Sequence, residues 1–476
     1  MGEYALEQKK HALLAEQSVL SLDLLPTKQE ARTWRRGHFF SIWMGSVHNV
    51  PSYATIGGFF AIGLSIWQVF FTILISSLLL AAMMVLNGHA GAKYGIPFSM
   101  LLRLTFGVRG AILPGVLRGV VAAIMWFGLQ TYAGSLAVTI LLGVLWPSYL
   151  TLGGDWSFFG LGLPNFLSFL LFWMIHLVCI FGGMDTLGKL TKILSPLIFL
   201  VFGGMAIWAI NLAGGIDAIL SYQPKGIVGN QFFVILTCVT AILSTWVAQI
   251  LSVSDVTRFA STNKDQTIGQ ILGLLTTYLL FAVASISIIV GSEVAFGVPI
   301  WNVLEVVDRF DNKFAIILSL LTLCLSTLSV NIVGNIIPAG NQLASLYPKR
   351  LNFISGAVFA TIIGILIMPW KLMENSTSIF AFLNIIGGLL SPVIGVLLTH
   401  YYLICKKEIH VQSLYRYPKR MNWSAMVSIL IAGFFSLVGN VIPALEPFYR
   451  VSWFTGIGIA VVLYLLFFNI SKLLKG

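Results

Sequence analysis

Four short polar stretches interrupt long apolar runs, and their side chains suit the holding of a neutral, hydrogen-bonding molecule. WFGLQ places Trp126 and Gln130 four residues apart, an aromatic plane and an amide on one helical face. SVNIVGN repeats that spacing with Asn331 and Asn335, and STWVAQ carries Thr245, Trp246 and Gln249. GSVHNVP, from Gly45 to Pro51, sets His48 and Asn49 beside a proline, with Gly57 and Gly58 following, a pattern that breaks a helix. Aromatic faces stack on planar rings, and amides pair with ring N–H and C=O edges. Each group taken singly also reads as structure: Gln130 and Asn331 as amides bonding across helices, Trp246 as a packing residue, His48 as a hydrogen-bonded histidine. Their joint occurrence on four separate apolar segments favours a site.

All seventeen Asp and Glu can be placed in loops or at the ends of apolar runs. A carboxylate within a membrane is costly and usually functional, so its absence argues against an organic cation and for a neutral solute. Paired intramembrane carboxylates, an H-E-x-x-H helix and a G-x-S-x-G turn are all missing, which disfavours an enzyme. A repeated filter motif or a pore charge ring, as a channel needs, is missing as well. Cys179, Cys238, Cys324 and Cys405 stand singly, without metal-ligand spacing.

Membrane-spanning helices must position these residues. The chain is 58% hydrophobic and 9% charged, with a mean hydropathy of +0.92, against about 25% charged residues in a soluble domain. Runs of about 20 apolar residues fall near 39–61, 66–87, 111–146, 164–182, 193–213, 230–252, 269–291, 313–346, 353–369, 377–404, 424–444 and 451–471, numbered here as spans one to twelve. Spans three and eight are long enough for roughly 50 Å of helix at about 1.5 Å per residue. With the N-terminus cytoplasmic, only Lys225, Arg309, Lys313, Lys371 and Arg450 of the 28 basic residues fall outside, and both termini face the cytoplasm. Arg118 is assigned to the inner side in that reading. The net charge of +11 is thus a topology signal and not a nucleic-acid surface. The N-terminus has neither a signal-peptide pattern nor, with Leu6 where Ser or Thr is wanted, a myristoylation motif.

The stretches IWMGSVHNVPSYATIGG, WQV, LNGHAGAKYG, IMWFGLQTYAGS, SDVTRFA, SEVAFGVPIW, LSVNIVGNIIP, MPWKLME and VSWFTG together resemble the nucleobase:cation symporter-1 family, most closely its bacterial allantoin permease branch. The resemblance implies an all-α integral membrane protein of 12 transmembrane helices. It implies a five-plus-five inverted-repeat transporter fold with two extra C-terminal helices. The cytoplasmic N-terminal segment is then 1–38, the first repeat 39–213, the second 230–404, and spans eleven and twelve lie in 424–471. The implied function is secondary-active import of allantoin or a related neutral heterocycle across the cytoplasmic membrane, as a monomer, by alternating access. Uracil, cytosine, a purine, hydantoin or thiamine is the alternative substrate. Substrate is expected where spans one and six are interrupted, stacked between Trp126 and Trp246 and bound by Gln130, Asn335 and Asn49. Asn331 is expected to tie span eight to its neighbours.

No cofactor is implied beyond a coupling ion, sodium or a proton. By resemblance, a sodium site matches the backbones of Gly45, His48 and Ser326 and the side chains at 329 and 330. Ser329 keeps its hydroxyl there, whereas Val330 offers no ligand. His48, which titrates near neutral pH, is the candidate proton carrier. Span six has Ser244-Thr245 ahead of its tryptophan in place of a glycine pair, so its unwinding should be slight. In SDVTRFA, Asp255 and Arg258 stand three apart and pair if the turn is helical, bracing a gate or capping the span.

Overall fold

The computed structural model describes residues 22–373, 376–415 and 421–474. Lys9, Lys10, Arg416, Lys419, Arg420 and Lys475 lie outside the described residues, as do the N-terminal targeting readings. Among the described residues, ten helices are long and apolar enough to cross a membrane. Span one is not among them because it is two 12-residue helices, Arg36–Val47 and Val50–Ala61. Span nine is a shorter apolar helix, Phe353–Leu366. These twelve segments correspond to the twelve runs in the sequence.

The break in span one has a local cause. His48 and Asn49 leave helical geometry, and Pro51, which lacks an N–H, sits in the first turn of the second half, where the backbone donor is not needed. Asn49 caps that half: its Oδ1 accepts from Ser52 N and Ser52 Oγ, both at 3.1 Å. Its Nδ2 donates to Ser46 O at 2.9 Å and Val47 O at 3.3 Å. In a membrane every freed backbone group needs a partner, and one asparagine supplies several of them. Gly57 serves packing and not the break, since a Cβ there would collide with the Trp301 ring.

Span six differs from the expected interrupted form: Gln231–Ser252 is one unbroken helix, in keeping with its lack of a glycine pair. Spans three and eight each carry a π-helical turn, Leu117–Ala122 and Ile332–Ile336, inside stretches of 34 residues, Ile112–Leu145 and Lys313–Leu346. A π turn inserts a residue and rotates the helix beyond it, commonly at functional positions. Spans four and five fall within one helical stretch, Leu163–Leu212, as two apolar runs of 20 residues, Leu163–Gly182 and Ile193–Leu212.

Span one packs on span seven, Asn263–Phe296, where Gly273 leaves no room for a Cβ: the Phe40 Cα would be 2.9 Å away. Span three packs on span eight, and span six on spans two and ten. The short helix Phe98–Gly110 precedes span three and the helix Val303–Asp308 precedes span eight.

Candidate substrate site

Trp126, Gln130, Trp246 and Asn335 are all buried, on spans three, six and eight. The two tryptophans do not touch one another among the described ring contacts. Trp126 meets Phe382 of span ten edge-on at 5.4 Å between centroids, and Trp246 meets Trp43 of span one at 6.0 Å. Several polar atoms on these spans have no partner. Trp126 Nε1, Gln130 Oε1, Gln249 Oε1 and Asn335 Oδ1 are buried without a partner. A buried polar group with no partner costs roughly 1–3 kcal/mol, so several together are the mark of a site completed by a polar ligand.

Asn331 and Asn335 divide the work of span eight. Asn331 Nδ2 lies 3.2 Å from Phe127 O, 3.1 Å from Thr131 Oγ1 and 3.1 Å from His176 Nε2, and its Oδ1 accepts from Asn335 Nδ2 at 2.7 Å. It is a junction of spans three, four and eight. Asn335 keeps a free oxygen. Asn331→Ala should lower thermal stability by about 1–3 kcal/mol through the groups it strands. Asn335→Ala should instead weaken ligand binding with a smaller change in the melt. Thermal unfolding of the purified variants with and without ligand separates the two, and the reverse pattern refutes the division.

Three sequence expectations are corrected. Asn49, expected to bind substrate, has both ends of its amide engaged in closing the break in span one. Asp255 and Arg258 are buried one turn apart, and their hydrogen bonds among the described residues go to other partners. Asp255 Oδ1 accepts from Phe98 N at 3.0 Å, at the start of the helix before span three. Arg258 donates to Thr27 Oγ1 at 2.7 Å and to the carbonyls of Asp23 and Leu25, fastening the N-terminal segment. Burial lifts the Asp255 carboxyl to about 6, opposed by Arg258 and Arg118. The third correction is Arg118, which is no surface charge: it is fully buried in the π turn of span three. It donates to Ala248 O and, at 2.7 Å, to Ser252 Oγ on span six, and at 2.5 Å to Gly334 O on span eight. A guanidinium inside an apolar span is the kind of intramembrane charge that marks function. An arginine seven residues into a span was the signal available in the sequence.

The residues matched to a sodium site do come together. Ser326 Oγ donates to Gly45 O at 2.6 Å and lies 3.0 Å from His48 O, so a hydroxyl already sits against the two span-one carbonyls. Ser329 Oγ is buried without a partner beside Gly45, and Val330 contributes no oxygen. The His48 ring is turned away, 4.3 Å from Phe202 and 5.7 Å from Phe281 between centroids, with Nδ1 at 3.2 Å from Tyr53 OH.

A helix broken at mid-span, flanked by aromatic rings and unpartnered amides within a bundle of apolar helices, defines the class of a membrane transporter. Residues 26–456 match the family of permeases for cytosine/purines, uracil, thiamine and allantoin, and the chain belongs to that family. It is 48% identical over 462 residues to the putative allantoin permease of Escherichia coli strain K12, covering 95% of each chain. It is 44% identical over 455 residues to the allantoin permease of Bacillus subtilis strain 168, covering 94% of this chain and 93% of the relative. Its fold is that of Mhp1, a nucleobase-cation-symport-1 family transporter solved in a closed conformation with bromovinylhydantoin bound. The TM-score is 0.79 at 22% identity, over 94% of each chain. The chain is therefore an all-helical, multi-pass permease of inverted-repeat fold, a transporter and not an enzyme.

Proposed function

We propose that this permease imports allantoin or a closely related neutral heterocycle, stacked against Trp126 and Trp246 and hydrogen-bonded by Gln130 and Asn335. The observation that carries the reading is the set of buried, unpartnered amide and indole groups on spans three, six and eight, with no carboxylate among them. Three amide oxygens and an indole N–H complement a ring rich in N–H and C=O groups, and the absence of a carboxylate among them disfavours a cation. The two bacterial relatives named for allantoin support that ring over uracil, cytosine, a purine, hydantoin or thiamine.

The repeats are assigned to 39–213 and 230–404, with 424–471 as the added pair. Both termini are placed in the cytoplasm on the distribution of basic residues, and the working unit is a monomer. Sodium is not assigned a role, because the Ser326 hydroxyl lies on the carbonyls it would need. His48 is assigned to the break in span one and not to proton carriage, since its ring is walled by aromatic side chains.

The test is a binding screen of the purified protein against allantoin, hydantoin, uracil, cytosine, adenine and thiamine, followed by uptake into proteoliposomes. Tightest binding and saturable, concentrative uptake of allantoin is the expected result. Preference for another of these rings, or flux that does not saturate, overturns the assignment.

A further inference from the structure

Polar groups of spans three, six and eight converge on one place, the π turn of span eight. Gly334 in that turn has no side chain, and a Cβ there would lie 2.8 Å from Gln249 Nε2 and 3.2 Å from Gln249 Cγ, so the glutamine of span six lies directly against this backbone. The next residue is Asn335. Arg118 holds the arrangement from the third side: it bonds the carbonyls of Ala248 and Gly334, the residues immediately preceding Gln249 and Asn335. One guanidinium thus fixes the backbones that carry two amides on different spans. Both amides are buried, and Gln249 Oε1 and Asn335 Oδ1 each lack a partner. Gln249 also stands three residues after Trp246, on the same face of span six.

We propose that Gln249 is a further substrate residue, one that selects for a ureido or carboxamide arm attached to the ring, with Arg118 as its positioning residue. The inference rests on the substrate reading above. A ring of the hydantoin type is bound by stacking and by Gln130 and Asn335, which leaves the Gln249 amide, its oxygen without a partner, for a group attached to the ring. A ureido arm, –NH–CO–NH2, presents the complementary set of N–H donors and one carbonyl, and an amide pairs with it in two hydrogen bonds, without charge. Sites built to hydrogen-bond a substrate group discriminate strongly against analogues that lack it, because the site's own polar atoms are then left unpaired.

The experiment compares two ligands that differ only in the arm: allantoin, which is hydantoin with a ureido group, and hydantoin itself. Binding to the purified full chain is followed by tryptophan fluorescence and calorimetry for the wild type, Gln249→Leu and Trp126→Ala. For Gln249→Leu the affinity for allantoin should fall about ten- to a hundredfold while that for hydantoin changes less than about twofold. Retained hydantoin binding shows that the variant is folded. Equal loss of both ligands, or no loss of allantoin, overturns the role of Gln249. A wild type that binds neither ligand, or a Trp126→Ala that binds both normally, overturns the substrate reading instead. Arg118→Lys cannot bridge the two carbonyls as a fork does, and should reproduce the selective loss of allantoin; a loss of both ligands in equal measure assigns Arg118 to the fold alone and removes it from the proposal.

Discussion

Trp126→Ala and Gln130→Ala should each weaken ligand binding by about ten- to a hundredfold and abolish saturable uptake while leaving the protein in the membrane. Stacking on an aromatic face is worth roughly 1–3 kcal/mol, and 1.4 kcal/mol corresponds to about a factor of ten. Gln130 has an oxygen with no partner inside the protein, so its loss strands no protein donor there and its effect should fall on the ligand. Trp126 is different, because its ring also meets Phe382. Truncating it leaves a cavity as well, with a cost in stability of about 3–5 kcal/mol. Trp126→Phe resolves the two contributions. It keeps an aromatic face and most of the volume but removes the unpartnered Nε1 donor, so affinity should fall less than in the alanine variant while the melt stays near wild type. Binding measured by calorimetry beside a thermal melt checks all three. Unchanged affinity in Trp126→Ala and Gln130→Ala would remove span three from the site.

Replacing sodium by choline should leave wild-type uptake and ligand affinity unchanged, whereas Ser326→Ala combined with Val330→Thr should create a sodium response. The first change removes the hydroxyl that now bonds Gly45 O and approaches His48 O. The second adds an oxygen next to Ser329, whose hydroxyl has no partner. Small hard cations are held by converging oxygen ligands, and only the double variant presents the carbonyls and paired hydroxyls together. The Val330→Thr change buries a hydroxyl at a site that is almost fully enclosed, which costs about 1–3 kcal/mol if it stays unsatisfied. The double variant should therefore melt lower than wild type in choline and recover part of the loss in sodium, with ligand affinity rising about tenfold or more. Uptake by the wild type driven by a sodium gradient alone would refute the argument from Ser326. Both readouts are needed, because a thermal shift reports ion binding even where transport is lost.

The sequence by itself determined whatever depends on local chemistry. Apolar runs of sufficient length located the membrane segments, and GSVHNVP located the break, because a proline acts within a few residues of itself. Helical periodicity put Trp126 with Gln130 and Asn331 with Asn335 on common faces, and a span six without a glycine pair stayed whole. The choice of hydrogen-bond partner was decided only by the tertiary structure. Asn49 reads as a ligand until its four bonds are seen within the break. Arg118 counts as one more basic residue until spans six and eight bring carbonyls to it across 130 and 216 residues of chain. Ser326 meets Gly45 O across 281 residues, and Asp255 finds Phe98 N across 157, not the arginine one turn away. The physical reason is that burial in a membrane is an additive property of a segment, readable from composition. A hydrogen bond instead requires its two groups within about 3 Å and in line, a condition set by how separate helices pack.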